Sequence, residues 1–203
     1  MEIMLLTPKK NKEKEIDTII QLFELGLSTL HLDKPEMNTR RMKEYISNIP
    51  KAFHNRIIIH SHHDLAFKFD LKGIHFTPTH LKRTFQNWCI FQKEKIFKRK
   101  LVHTRSYSRL SDAFNEEKYR FDYYILKNVF NPIINEFNVG YHPMRIAEIH
   151  KTGKKFVVRG GINAITALKA KEMNFYGICL YSAIWKSDNP VEKFIEIKNA
   201  ISS

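Results

Sequence analysis

The chain has 203 residues, 43% hydrophobic and 27% charged, with 7 glycines and 7 prolines. That balance excludes disordered, collagen-like and low-complexity classes and leaves one globular domain spanning 1–203 as the expectation. The formal net charge of +13 points toward anionic partners, either nucleic acid or small phosphorylated molecules.

Residues 1–6 (MEIMLL) are too few for a signal peptide and run into Lys9, Lys10, Lys12 and Lys14, so no targeting or membrane segment is expected. A strand is predicted over 3–6 (IMLL), followed by a helix over 15–26 ending at Gly26. The next strand is TLHL (29–32), the next helix RRMKEYISNI (40–49). RIIIH (56–60) and GIHF (73–76) read as strands three and four, KLVH (100–103) as strand five, and 108–119 (SRLSDAFNEEKY) as a helix. Strand six is DYYIL (122–126), and a helix over 144–153 stops at Gly153. FVV (156–158) and GICLY (177–181) are the last strands, with helices over 164–174 and 191–201, the latter opened by Pro190. Eight alternations fit a (β/α)8 TIM barrel, which needs roughly 200 residues. An open doubly wound sheet is the alternative that the same rhythm permits.

Residues 81–100 carry Lys82, Arg83, Lys93, Lys95, Lys98, Arg99 and Lys100 against Glu94 alone, interleaved with Phe85, Trp88, Phe91 and Phe97. The simpler reading is an amphipathic helix with its rings toward the barrel and its lysines in water. The competing reading is a surface for single-stranded nucleic acid. Cys89 and Cys179 are far apart, which fits a reduced, cytoplasmic protein.

Of ten histidines, His31, His60, His62, His63, His75, His80 and His103 fall at or just beyond the predicted C-terminal halves of strands two to five, the end where barrel active sites are built. Adjacent His62 and His63 point to opposite faces of an extended segment, and no HExxH or CxxC pattern occurs, so no dedicated metal site is expected. The sharpest signal lies later, in VVRGGIN (157–163) and GICLYSAIW (177–185). Both strands stop at small residues, Gly160 and Gly161, then Ser182 and Ala183, and the loops after strands seven and eight of such barrels commonly hold a phosphate.

LHLDKP (30–35), IIIHSHHDLA (57–66), GIHFTP (73–78), TRSYS (104–108), DYYILKNVF (122–130), VVRGGIN and GICLYSAIW, in that order, resemble the thiamin phosphate synthase and thiazole tautomerase family of barrels over nearly the whole chain. The resemblance implies a phosphate site at Gly160 and Gly161, with Ser182 and Ala183 beside it, while Lys34, Lys127 and Arg159, cations that lie off the family pattern, are expected to have taken over ligand binding. It also implies Mg²⁺ and a small phosphorylated thiamin precursor as partners. Nucleic acid and membranes are not expected, and self-association into a homodimer is left open. His31, His60, His103 and the strand-five Ser106 are the candidates for proton transfer and catalysis.

The same comparison marks departures. Ser61 and His80 stand where two Mg²⁺-ligating aspartates are expected, and Asp33 lies where a base would grip pyrophosphate. Ser108 replaces the tautomerase histidine, and the loop lysine after strand six falls near Asn135 and Glu136. Mg²⁺ prefers carboxylate oxygen, so weak Mg²⁺ binding and low or altered synthase activity are expected. A tautomerase-like enzyme and a non-catalytic phosphate-ligand-binding paralogue are the alternatives.

Overall fold

A computed structural model describes residues 1–114, 117–130 and 143–202. The expected Asn135 and Glu136 positions lie outside the described residues. Eight strands form a closed parallel barrel in sequence order: β1 (Glu2–Leu6), β2 (Thr29–Leu32), β3 (Ile57–Ile59), β4 (Gly73–Phe76), β5 (Val102–Tyr107), β6 (Tyr123–Leu126), β7 (Phe156–Arg159) and β8 (Gly177–Leu180). Pairing of β1 with both β2 and β8 closes the ring, with Leu6 beside His31 and Leu5 beside Leu180. This is the (β/α)8 barrel of the sequence reading, and closure eliminates the open sheet.

The helices are α1 (Glu15–Glu24), α2 (Thr39–Ser47), α3 (Leu65–Lys68), α4 (Pro78–Leu81), α5 (Thr84–Ile96), α6 (Pro143–His150), α7 (Ala164–Glu172), α8 (Ser182–Trp185) and α9 (Pro190–Ser202). Their starts follow local chemistry. Asn38 caps α2 by accepting from the Arg41 N–H, and Asn163 and Thr166 form a reciprocal capping box on α7. None of these helices is long and apolar enough to cross a membrane.

Successive residues of a strand face opposite sides, so each strand serves two cores. Ile3, Leu5, Leu30, Leu32, Ile57, Ile59, Ile74 and Phe76 join the larger core under the helices. Met4, Leu6, Ile58, Tyr123, Ile125, Val157 and Cys179 form a smaller one inside the barrel. At about 25 cal/mol per Å² of buried apolar surface, the larger layer dominates stability. The smaller interior is free to carry polar groups toward its upper end.

Two sequence expectations are corrected. The helix over 108–119 is reduced to a short 3₁₀ segment, Leu110–Phe114. Glu117 turns back onto β5, where its carboxylate pairs with Arg105 and accepts from the Tyr107 hydroxyl at 2.5 Å. The rings of the basic segment do not all face the barrel: Phe85, Trp88 and Phe97 are 74%, 56% and 62% exposed. The inward phase of α5 is set instead by Asn87, which donates to the His80 carbonyl, by buried Ile90, and by Glu94, which faces His103 and accepts from the Leu101 N–H.

Candidate functional site at the barrel mouth

Inward parity continues past the apolar interior as a polar tier. On β2 it selects His31 and then Asp33; beyond β3, His60; on β4, His75; on β5, Thr104 and Ser106. These side chains meet. His31 Nδ1 is 3.0 Å from His60 Nε2, and His31 Nε2 is 2.7 Å from the Tyr123 hydroxyl. His75 engages the Thr104 hydroxyl through Nδ1 at 2.8 Å and the Ser106 hydroxyl through Nε2 at 3.1 Å. The His60 and His75 rings stack, with centroids 4.1 Å apart. Sequence reasoning named His31, His60 and Ser106 for this site. It missed the roles of His75, Tyr123 and Thr104, which follow from the same alternation once the strands are placed.

Burial determines the charge state of these rings. His31 is lowered to about 3, chiefly by desolvation and then by the positive charges of Lys72 and Arg159. His60 and His75 also lie well below the ordinary histidine range, again mainly by desolvation and then by their histidine neighbours. All three are neutral imidazoles near pH 7, the form that accepts a hydrogen bond or ligates a metal, and burial disfavours their protonated form. Asp33, at the upper edge, is raised by desolvation while Lys9, Arg159, Lys127 and Lys34 pull it back down.

Two expected site residues lie elsewhere. Lys34 follows inward-facing Asp33 by one residue and points outward. It is 0% exposed, with its amino group 2.8 Å from the Glu15 carboxylate and over the Tyr45 ring. It is a buried cation paired with Glu15 and lies outside the hollow of the other expected residues. His103 is also outward: β5 begins at Val102 and not at residue 100, so His103 sits near the strand's start. There it packs on Phe76 and Phe91 with Nε2 3.0 Å from the Glu94 carboxylate. The barrel wall separates it from the polar tier.

The other expected residues converge. Arg159, Gly160, Gly161, Ser182 and Ala183 line one hollow of about 150 Å³, together with Asn128, Cys179 and Tyr181. The Arg159 guanidinium lies over the Tyr181 ring at 5.4 Å. Gly160 has φ 99°, and a Cβ there would stand 2.8 Å from the Asn128 Cα, so only glycine fits between the loops. Lys127, one residue past β6, is lowered by burial and by Arg159, with Asp33 acting in the opposite direction. A larger hollow of about 1060 Å³ opens on the outer side of β5 and β6 beside His103, Glu117 and Lys154. It lacks the strand C-termini on which barrel chemistry is built, so size does not decide here.

A hard Mg²⁺ site does not fit these residues. Ser61 contributes a buried hydroxyl without a partner, His80 is tied by Nδ1 to Thr77, and exposed Asp64 pairs with Lys93 at 2.6 Å. Among the described residues, the one metal-competent cluster is His31, His60 and His75, without a carboxylate. His62 and His63, the pair weighed from the sequence, are not part of that cluster. His62 accepts a left-handed turn with φ 54° and is bonded to the Met37 carbonyl.

Fold and mouth together define a (β/α)8 barrel with three histidines gathered at its centre. The chain belongs to the thiamine monophosphate synthase family, whose pattern it matches over residues 3–184. No curated protein sequence matches it significantly. Among solved structures it is similar to thiamine phosphate pyrophosphorylase from Bacteroides thetaiotaomicron, with 23% identity, TM-score 0.76, and coverage of 100% of this chain and 98% of that one. The Pyrococcus furiosus thiamine phosphate pyrophosphorylase is 19% identical, TM-score 0.76, covering 99% and 95%. The (S)-3-O-geranylgeranylglyceryl phosphate synthase of Thermoplasma acidophilum, in complex with sn-glycerol-1-phosphate, is 16% identical, TM-score 0.68, covering 98% and 92%. Likeness at these identities establishes the shared fold.

Proposed function

We propose that this barrel binds a phosphorylated thiazole or pyrimidine precursor of thiamin, with the phosphate in the hollow of Arg159, Gly160, Gly161, Ser182 and Ala183. The carrying observation is the convergence of those five residues on one small cavity between the loops after β7 and β8. Its size suits a single phosphate group, and Arg159 supplies a planar, permanently charged donor. Lys127 adds positive field beside it. The remainder of the ligand extends over Asp33 and the polar histidine tier. Two free cysteines, one of them buried, accord with a reducing, cytoplasmic setting.

Coupling of a pyrimidine pyrophosphate to a thiazole phosphate is weakened or altered in this reading. Stabilising a departing pyrophosphate is electrostatic work, and losing one such group typically costs on the order of 10²–10³ in rate. The family's oxygen ligands are replaced by Ser61 and His80, and Lys34 is committed to Glu15. A second reading, a tautomerase-like proton transfer, is favoured by one observation: His31 is hydrogen-bonded to His60 and Tyr123, and His75, stacked on His60, is hydrogen-bonded to Ser106. A non-catalytic binding paralogue would share the hollow and show neither activity.

The test is calorimetric titration with thiazole phosphate of the wild-type chain and of Arg159→Gln, alongside the coupling assay at saturating Mg²⁺. Binding that drops at least tenfold in Arg159→Gln is expected. Affinity unchanged by that substitution, or coupling at the usual rate of a biosynthetic enzyme, overturns the reading.

A further inference from the structure

We propose that His31, His60 and His75 bind one divalent transition ion of zinc-like chemistry at the polar centre of the barrel. One ligating nitrogen from each lies within 4.8 Å of the others. The three residues come from the adjacent elements β2, the end of β3, and β4, so the closed barrel holds their backbones in place. His31 Nδ1 and His60 Nε2 are already 3.0 Å apart. Two imidazole nitrogens on a tetrahedral Zn²⁺, each about 2.0–2.1 Å from the ion, stand roughly 3.3–3.4 Å from one another. That pair needs only a small separation to admit the ion between them.

The atoms behind the ligands support the assignment. A metal-bound imidazole normally offers its second nitrogen to an oxygen that fixes ring and tautomer. With His31 Nδ1 on the ion, Nε2 keeps its 2.7 Å bond to the Tyr123 hydroxyl. With His60 Nε2 on the ion, Nδ1 faces the Asp33 carboxylate at 4.0 Å. His75 has a hydroxyl for whichever nitrogen it does not commit, Thr104 or Ser106. Burial holds the rings neutral, which is the ligating form. One adjustment is required. His75 stacks on His60 with 14° between the planes, so its lone pair runs alongside that of His60 and its ring must turn to complete the set. Three nitrogen donors suit zinc, copper, nickel or iron and disfavour magnesium, and they leave a fourth position for water or a ligand oxygen.

The proposal is independent of the phosphate reading, because the ion is titrated with no phosphate ligand present. Chelator-treated full-length protein is titrated with Co²⁺ followed by visible absorption, and with Zn²⁺ in competition with a chromophoric chelator. One ion per chain and the intense visible bands of low-coordinate Co²⁺ are expected. His31→Asn, His60→Asn and His75→Asn should each lower Zn²⁺ affinity on the order of 10²-fold, and Tyr123→Phe about tenfold through its ring partner. His103→Asn, outside the barrel wall, should leave affinity unchanged. Should a ligand variant fail to fold, imidazole nitrogen NMR of the wild-type chain decides instead: equimolar Zn²⁺ must shift one nitrogen of each of the three rings. Absent binding, weak six-coordinate Co²⁺ spectra, affinity insensitive to the three histidines, or unshifted ring nitrogens overturns the proposal.

Discussion

The Lys34 amino group lies 2.8 Å from the Glu15 carboxylate in a space where both side chains are almost wholly shielded from water. The Tyr45 hydroxyl donates to the same carboxylate at 2.5 Å, and the Lys12 N–H caps it from α1's entry at 2.9 Å. Desolvation lowers Lys34 below the ordinary lysine range, and the hydrogen bond and charge of Glu15 pull it back up. Breaking such a pair from one side strands a buried charge and costs roughly 3–5 kcal/mol. Glu15→Gln is therefore expected to lower the urea midpoint strongly, while Lys34→Met, which retains most of the volume and removes the charge, costs less than Lys34→Ala. Thiazole phosphate affinity of a folded Lys34→Met protein should stay near wild type. A large affinity loss without a stability loss would return Lys34 to the ligand site.

Gly160 should tolerate no side chain. In Gly160→Ala the new Cβ meets the Asn128 backbone at 2.8 Å with φ at 99°, so the loops after β6 and β7 must separate. A cost of about 1–3 kcal/mol is expected from the strained backbone, with loss of phosphate-ligand binding by calorimetry. Gly153→Ala provides the contrast: its φ is 68° but a Cβ there meets nothing within 4 Å. It should cost less stability and leave binding intact.

Stability of the metal-free protein should decline from about pH 6.5 downward, well above the pH at which carboxylates begin to protonate. His31 and His63 are lowered to about 3 and about 4, and His60 and His75 lie well below the usual value, with desolvation the leading cause in each case. The unfolded chain therefore binds protons that the folded chain refuses, so stability rises with pH through this window and is lost as pH falls. Each group contributes a slope of about 1.4 kcal/mol per pH unit. Urea midpoints from pH 7.5 to 5 check the sign; a flat profile would contradict the burial of these rings.

The two cysteines should differ in reactivity. Cys179 is buried inside the barrel, and desolvation pushes its thiol up to about 12, opposed by Arg159. Cys89 is half-buried on α5. A thiol reagent at pH 8 should modify one cysteine in the folded chain and two after unfolding, because the thiolate is the reacting form. Two fast-reacting thiols in the native protein would place Cys179 within reach of solvent.

Much of this protein is legible before folding. The eight apolar runs, Gly26 and Gly153 at helix ends, and the small residues at 160–161 and 182–183 all depend on neighbours a few positions away, so strand count, most helix positions and the small-residue loops after β7 and β8 follow from them, whereas the helix expected over 108–119 does not form. Strand parity is equally local, but it separates inward His31, Asp33, His75 and Ser106 from outward Lys34 and His103 only once the strand bounds are known, and the sequence reading placed both outward residues in the site. It was obscured at His103 because the apolar run KLVH suggested a strand that ended there, whereas β5 begins at Val102. Rings in the basic segment were misassigned for a related reason, since hydrophobicity indicates that a helix has an inner face but contacts with His80, Leu101 and His103 set its rotation. What only the tertiary structure decided is which inward residues touch. His31, His60, His75 and Tyr123 are far apart in sequence, and their meeting depends on the register between strands and on closure of the ring, which no single strand encodes. Alternation along a strand fixes which side a strand histidine faces once the strand is placed; the barrel determines that three of them share a centre.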